Sequence, residues 1–173
     1  FAGLTLSGAT YVIATIINDI KLEELTIKGS NLAAVKVQYS NEFFMQDVNI
    51  QTSAIALDMD DSSNVEIVDL DMAANNDGIQ MTNTHFISFM AGGAIDCLTG
   101  IGLALDTVTT SAFLSIFLFN SAGDGVNLVN CSDVLLSGGG ISENGGQGIE
   151  LVSGNTEIVM NALSLKNNAS DGI

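Results

Sequence analysis

Arginine, proline and tryptophan are absent from this 173-residue chain, histidine occurs once, and cysteine and tyrosine occur twice each. Lysine is scarce as well: four lysines face 20 acidic residues, for a formal net charge of -16. Each shortage excludes something. Without a basic surface the chain cannot displace counterions from a phosphate backbone, so no nucleic-acid partner is expected, and an anionic membrane surface is disfavoured. The longest apolar runs, such as Tyr11-Val12-Ile13-Ala14-Thr15-Ile16-Ile17, are too short to span a bilayer, and no membrane insertion is expected. Two cysteines offer no zinc spacing. What remains is 47% hydrophobic and 14% charged, with 18 glycines, the composition of an acidic folded domain.

The ordering element is a repeat. A small residue, a β-branched aliphatic, a variable residue and another aliphatic recur as Ala34-Val35-Lys36-Val37, Ala54-Ile55-Ala56-Leu57, Gly78-Ile79-Gln80-Met81 and Gly100-Ile101-Gly102-Leu103. Gly125-Val126-Asn127-Leu128 and Gly148-Ile149-Glu150-Leu151 continue the series, and Gly172-Ile173 begins another copy. These anchors stand 20, 24, 22, 25, 23 and 24 residues apart. A second element follows each anchor, as in Ser63-Asn64-Val65, Thr84-His85-Phe86, Ser111-Ala112-Phe113 and Ser132-Asp133-Val134. A third precedes the next, as in Val48-Asn49-Ile50 and Leu70-Asp71-Met72. Each stretch alternates apolar with polar and is punctuated by Asn, Ser, Asp or Gly, the pattern of short strands and turns.

Three short strands per repeat with no helix between them can bury their apolar faces only by coiling and stacking, each coil pairing in parallel with the next. The expected inner column is Val35, Ile55, Ile79, Ile101, Val126, Ile149 and Ile173. Six steps at about 4.8 Å make a rod roughly 29 Å long. The absence of proline fits, because nearly every strand N–H must donate to a neighbouring coil.

The phrases Asn75-Asn76-Asp77-Gly78-Ile79, Gly123-Asp124-Gly125-Val126 and Asn167-Asn168-Ala169-Ser170-Asp171-Gly172-Ile173 resemble the repeats of right-handed parallel β-helices. That group includes pectate lyases, polygalacturonases and phage tailspikes. The expected fold is therefore all-β: a single-stranded right-handed parallel β-helix of about seven coils of about 23 residues. One domain spans 1–173, with 1–21 a less regular first coil and 22–173 the repeats. Because the last copy breaks off mid-motif, the chain reads as a fragment of a longer protein. The resemblance implies an extracellular, cell-surface or virion-surface setting, cell-surface polysaccharide as partner, and a homo-oligomer, a trimer by likeness to tailspikes.

Chemistry must come from carboxylates, since the arginine base of pectate lyases has no counterpart here. Asp77, Asp124 and Asp171 precede anchor glycines. Asp77 and Asp124, two coils or about 9.6 Å apart, approach the separation of an inverting acid/base pair. Their other reading is a turn in which the side chain bonds backbone amides two residues on. Glu143 and Glu150 are further acidic candidates. Asp58, Asp60 and Asp61 share one turn and would be the calcium ligands if a cation binds. Tyr39, at a corner, and Gln80, Asn127 and Glu150, at the variable anchor position, are the candidate substrate-binding residues. His85 falls in an outward column with no carboxylate beside it, while Cys97 and Cys131 sit at unlike places in the repeat and read as unpaired core fillers. In Phe113-Leu114-Ser115-Ile116-Phe117-Leu118-Phe119 strict alternation fails, which predicts apolar side chains outside, covered by another subunit or by a flanking segment. For function this leaves a rigid glycan-presenting surface without evident catalysis, a polysaccharide hydrolase or lyase using those carboxylates, or a structural shaft.

Overall fold

The computed structural model describes residues 4–7, 13–15, 19–92 and 94–173. Among them there is no helix, and every strand pairing is parallel: the chain is a β-solenoid of about six turns, about 23 residues apart. One sheet has seven strands, Ile13–Thr15, Ala33–Gln38, Ile55–Asp60, Asp77–Thr82, Leu103–Asp106, Val126–Val129 and Ile149–Leu151. Seven strands enclose six turns, which reconciles this count with the seven coils expected. The second sheet has ten strands and contains the long segments Asn41–Gln51, Ser63–Asn75, Thr109–Phe119 and Ser132–Ser142. From residues 1–21, the strands Leu4–Ser7 and Ile13–Thr15 join the two sheets, and Tyr11 lies outside the described residues.

The inner column differs from the expected one at three places: Ile55 and Ile101 give way to their neighbours, and Ile173 is 62% exposed and joins no strand pair. Val35, Leu57, Ile79, Leu103, Val126 and Ile149 stand in register, all buried, at steps of 22, 22, 24, 23 and 23 residues. Ile55 pairs instead with Ala33 and Asp77, and the carbonyl of Ile101 accepts from Gly78 N; both side chains are only half-buried. A slip of two residues keeps every side chain on its own face, so alternation alone could not reject the misplaced tetrads. The stacked ones are Ala56-Leu57-Asp58-Met59 and Gly102-Leu103-Ala104-Leu105, and the steps become more uniform for it. The second element slips too. His85 aligns with Ser63 and Thr109, so Ile87 and not Phe86 enters the core column between Val65 and Ser111.

The long strands turn corners without breaking their ladders. Residues with left-handed φ make these corners, and they stack from coil to coil: Glu24, Asp47, Asp69, Ala91 and Ser115 form one such column, continued by Gly138 and Ala162. Three further corner columns run through Glu42, Asn64 and Phe86, through Tyr39, Asp61 and Asn83, and through Thr52 and Ala74. Each corner resets the alternation. In the apolar run, Phe113 points in and Leu114 out, Ser115 makes the corner, then Ile116 and Leu118 point in and Phe117 and Phe119 out. The pattern that fails as one strand holds as two.

Two inner corners are lined by polar columns that satisfy buried amides from coil to coil. Ser30 N donates to Ser53 Oγ (3.3 Å), Ser53 N to Asn75 Oδ1 (2.8 Å), Ser121 N to Asn144 Oδ1 (3.0 Å) and Asn144 N to Asn168 Oδ1 (3.2 Å). Cys97 fills this column between Asn75 and Ser121, and Cys131 fills the other between Val108 and Asn155. Both thiols are buried and free, as their unlike positions imply. Desolvation pushes the Cys97 thiol up to about 12, so it stays protonated and unreactive. The ladder makes a specific demand: Asn144→Leu strands the Ser121 amide and should cost about 1–3 kcal/mol in denaturant unfolding. Asn144→Ser, which keeps an acceptor, should cost less.

Candidate functional site: the outer face of the seven-stranded sheet

Register sets which side chains meet outside the coil. On the seven-stranded sheet one outward row reads Lys36, Asp58, Gln80, Ala104, Asn127 and Glu150, and the next Gln38, Asp60, Thr82, Asp106 and Val129. At about 4.8 Å per coil these are continuous ladders. Gln80, Asn127 and Glu150, chosen from the variable anchor position, therefore share a row with Asp58. The row dips at Ala104, where the short side chain leaves a shallow hollow of about 130 Å³ whose polar rim is Gln80, Thr82, Asp106 and Asn127.

The row's ends are braced internally. Lys36 Nζ pairs with Asp58 Oδ2, Gln38 Nε2 donates to Asp60 Oδ2 at 3.4 Å, and Asn127 Nδ2 donates to Glu150 Oε2. Asp61, at the adjoining corner, accepts from Asn83 Nδ2. Asp58 and Asp60 thus point out two residues apart along a strand, while Asp61 turns onto the corner. Among the described residues no group of three His, Cys, Asp or Glu side chains could hold a metal ion. Asp58, Asp60 and Asp61 are accordingly not gathered into a calcium cage.

Asp77 opens its strand, Asp124 lies two residues before the next strand but one of the same sheet, and both turn towards the following coil. Asp77 Oδ1 accepts from Ile101 N at 3.2 Å, and Asp124 Oδ1 from Gln147 N at 2.7 Å. The amides they bond lie 24 and 23 residues on, not two, so these carboxylates join coils instead of closing their own turns. The row they define is Asp77, Ile101, Asp124 and Gln147. Asp171 is exposed, and its carbonyl receives Gly148 N. Glu143 sits on a left-handed corner beside a surface hollow of about 300 Å³ that Cys97, Asn120 and Ser121 also line. It is not brought to Asp124 by any hydrogen bond among those found.

Two exposed aromatics flank the sheet at neighbouring corners. Tyr39 is 65% exposed with φ 53°, and Phe86, two coils further along, is 57% exposed with φ 54°. Left-handed backbone is rare for bulky residues, which is why turn chemistry did not reveal Phe86. The usable signal was parity: if Ile87 and Phe89 point in, Phe86 must point out. His85 is half-buried, its Nδ1 2.7 Å from Thr109 Oγ1, with no carboxylate partner in that bond. A separate hollow of about 310 Å³ is bordered by Asp19, Lys21, Glu42, Asn64 and Glu66. There a hydrogen bond and charge repulsion from Asp19 raise the Glu42 carboxyl above its ordinary value.

The fold and this face define an acidic parallel β-solenoid with an ordered polar sheet surface. No helix among the described residues is long and apolar enough to cross a membrane. Compared with known proteins, the chain matches no family model, no curated protein and no solved structure.

Proposed function

We propose that this chain is a non-catalytic, rigid surface that binds an extended polysaccharide along the outer face of its seven-stranded sheet, in an extracellular, cell-surface or virion-surface protein. The observation that supports this most is the in-register ladder of amide, hydroxyl and carboxylate side chains dipping at Ala104 between Gln80 and Asn127. Periodic hydrogen-bonding groups on a stiff rod suit a polymer that is itself periodic, and Tyr39 and Phe86 supply apolar faces at its margin. A net charge of -16 repels polyanions, so the glycan is neutral or amine-bearing. Against catalysis, Asp77 and Asp124 are engaged by backbone amides.

A neutral and acidic glycan array, followed by titration calorimetry, tests the reading. The expected result is binding to a neutral or amine-bearing glycan, weakened at least ~10-fold in the Gln80→Ala/Asn127→Ala double variant, about 1.4 kcal/mol. The melting temperature should fall only slightly, because both residues are outside the core and only the Asn127–Glu150 surface bridge is lost. Absence of any glycan binding, or full affinity in the double variant, contradicts the proposal. Asp124→Asn keeps the Oδ1 acceptor and should leave binding intact. Depolymerisation by the wild type that is lost in this variant would restore the hydrolase or lyase reading.

The structural-shaft reading draws on a different observation. Outside the core, side chains bridge successive coils repeatedly: Lys36 to Asp58, Gln38 to Asp60, Asn49 to Asp71, Asn120 to Asp96 and Asn127 to Glu150. Such bracing stiffens the rod whether or not a ligand binds.

A further inference from the structure

The two outward rows of the seven-stranded sheet are unbalanced in charge and in hydrogen-bonding sense. Between them they carry four carboxylates, Asp58, Asp60, Asp106 and Glu150, against one lysine. That lysine, Lys36, is already spent on Asp58. The amide donors go the same way, Gln38 Nε2 to Asp60 and Asn127 Nδ2 to Glu150. At the corner beside them, Thr107 Oγ1 donates to Asp106 Oδ1 at 2.9 Å. The donors that these rows commit end on carboxylates, and what is left over is mostly acceptors.

The surplus is focused at Ala104. The hollow there has Gln80 one coil before it, Asn127 one coil after it, and Asp106 two residues along the same strand on the same face. The Asn127 amide leans its Nδ2 forward to Glu150, so the other arm of that planar group, Oδ1, leans back over the hollow. Asp106 spends one oxygen on Thr107, and no hydrogen bond found among the described residues reaches its other oxygen. A carboxylate and an amide oxygen therefore border a space of about 130 Å³, several times the roughly 30 Å³ that one water takes up in the liquid. Lys36 is no counter-ion for them, since it stands three coils away along the row, about 14 Å.

We propose that this hollow is an ammonium subsite, which takes the protonated amine of a polysaccharide built from amino sugars. Asp106 is the counter-ion, and Asn127 Oδ1 and Gln80 Oε1 are further acceptors. The inference rests on the glycan-binding reading of this face and narrows it to the amine-bearing class. An ammonium brings three donors and no acceptor, the complement of a rim whose own donors are committed. A neutral hydroxyl satisfies one acceptor but leaves the carboxylate without a counter-charge, whereas a charge-assisted contact is roughly twice as strong as a neutral one. The net charge of -16 acts in the same direction at longer range, drawing a polycationic chain to the rod. Asp60 stands two coils before Asp106 in the same row, about 9.6 Å away, so a second amine of the same polymer meets a second carboxylate.

The test sets amine-bearing glycans beside their N-acetylated counterparts, which keep ring, linkage and length but lose the charge, on an array followed by titration calorimetry. The free-amine forms should bind, and N-acetylation should weaken binding at least ~10-fold, about 1.4 kcal/mol. Affinity should also fall as the pH is raised through the range where the amine gives up its proton. Asp106→Asn, an exchange of near-equal shape at an exposed position, should keep the melting temperature and weaken the free-amine form at least ~10-fold. Asp69→Asn removes the same charge from a corner of the ten-stranded sheet and should change affinity less than ~2-fold. Neutral or N-acetylated glycans bound as tightly as free amines overturn the subsite and leave the glycan-binding reading standing. Full affinity in Asp106→Asn, or an equal loss in Asp69→Asn, overturns it in the same way. No binding to any glycan overturns both.

Discussion

Gly139→Ala is expected to be among the most damaging single substitutions in the chain, costing about 3–5 kcal/mol or preventing folding. Gly139 occupies an inward column opposite Ile116, with φ +91°, and a Cβ there would lie 1.9 Å from the Ile116 carbonyl oxygen. That atom belongs to the backbone of the neighbouring coil, so relief means moving a strand. Its carbonyl cannot yield without disturbing the ladder on either side. One residue further on, Gly140→Ala meets nothing closer than 3.8 Å and should stabilise the monomer by a few tenths to about 1 kcal/mol, through the entropy of the unfolded chain. Denaturant titration of the two variants, at concentrations where the protein is monomeric, gives a contrast of opposite sign at adjacent positions. Equal effects would mean that the close approach of coils at Gly139 is wrong.

Phe113→Ala should cost about 3–5 kcal/mol. Phe113 is fully buried and stacks on Phe89 of the preceding coil, with ring centroids 6.0 Å apart and an interplanar angle of 27°. In a solenoid each coil touches only its neighbours, so the cavity falls between two coils and weakens the coupling through which the stack folds as a unit. The loss should therefore appear as a lower unfolding midpoint together with a reduced m-value, as the two ends begin to unfold separately. A surface change in the same strand, Ala112→Ser, should move the midpoint little. A Phe113→Ala loss below about 1 kcal/mol would place that ring outside a packed core.

The period and the alternation were legible because stacking imposes them on every coil: an inner column tolerates only apolar side chains, and Val35, Ile79, Val126 and Ile149 announce it. Exact register was less so. Ala54-Ile55 and Gly100-Ile101 imitate the true tetrads two residues away, and a two-residue slip leaves in and out unchanged. Corners were legible where Asn marked them, as at Asn64, Asn83 and Asn130, and hidden where Glu24, Phe86, Thr110 or Ser115 took left-handed backbone inside a continuous strand. Those corners are held by the ladders on both sides, not by their own preference, so no local turn signal accompanies them. For the same reason the outward row through Gln80, Asn127 and Glu150 could be chosen from one sequence position, but not its hydrogen-bond partners. That Asp124 bonds the Gln147 amide, or that Asn127 reaches Glu150, depends on knowing which residue lies one coil away to the single residue.

The central claim is that successive coils lie directly over one another in the register Val35, Leu57, Ile79, Leu103, Val126 and Ile149. Spin-label distances along the outward row adjoining that column test it most directly, since the native cysteines are buried and Cys97 stays protonated. Labels at Lys36→Cys paired in turn with Ala104→Cys, Asn127→Cys and Glu150→Cys should give distances near ~14, ~19 and ~24 Å, rising by about 4.8 Å per coil. Distances that fail to rise in equal steps, or a single broad distribution for all three pairs, would contradict the stacked solenoid.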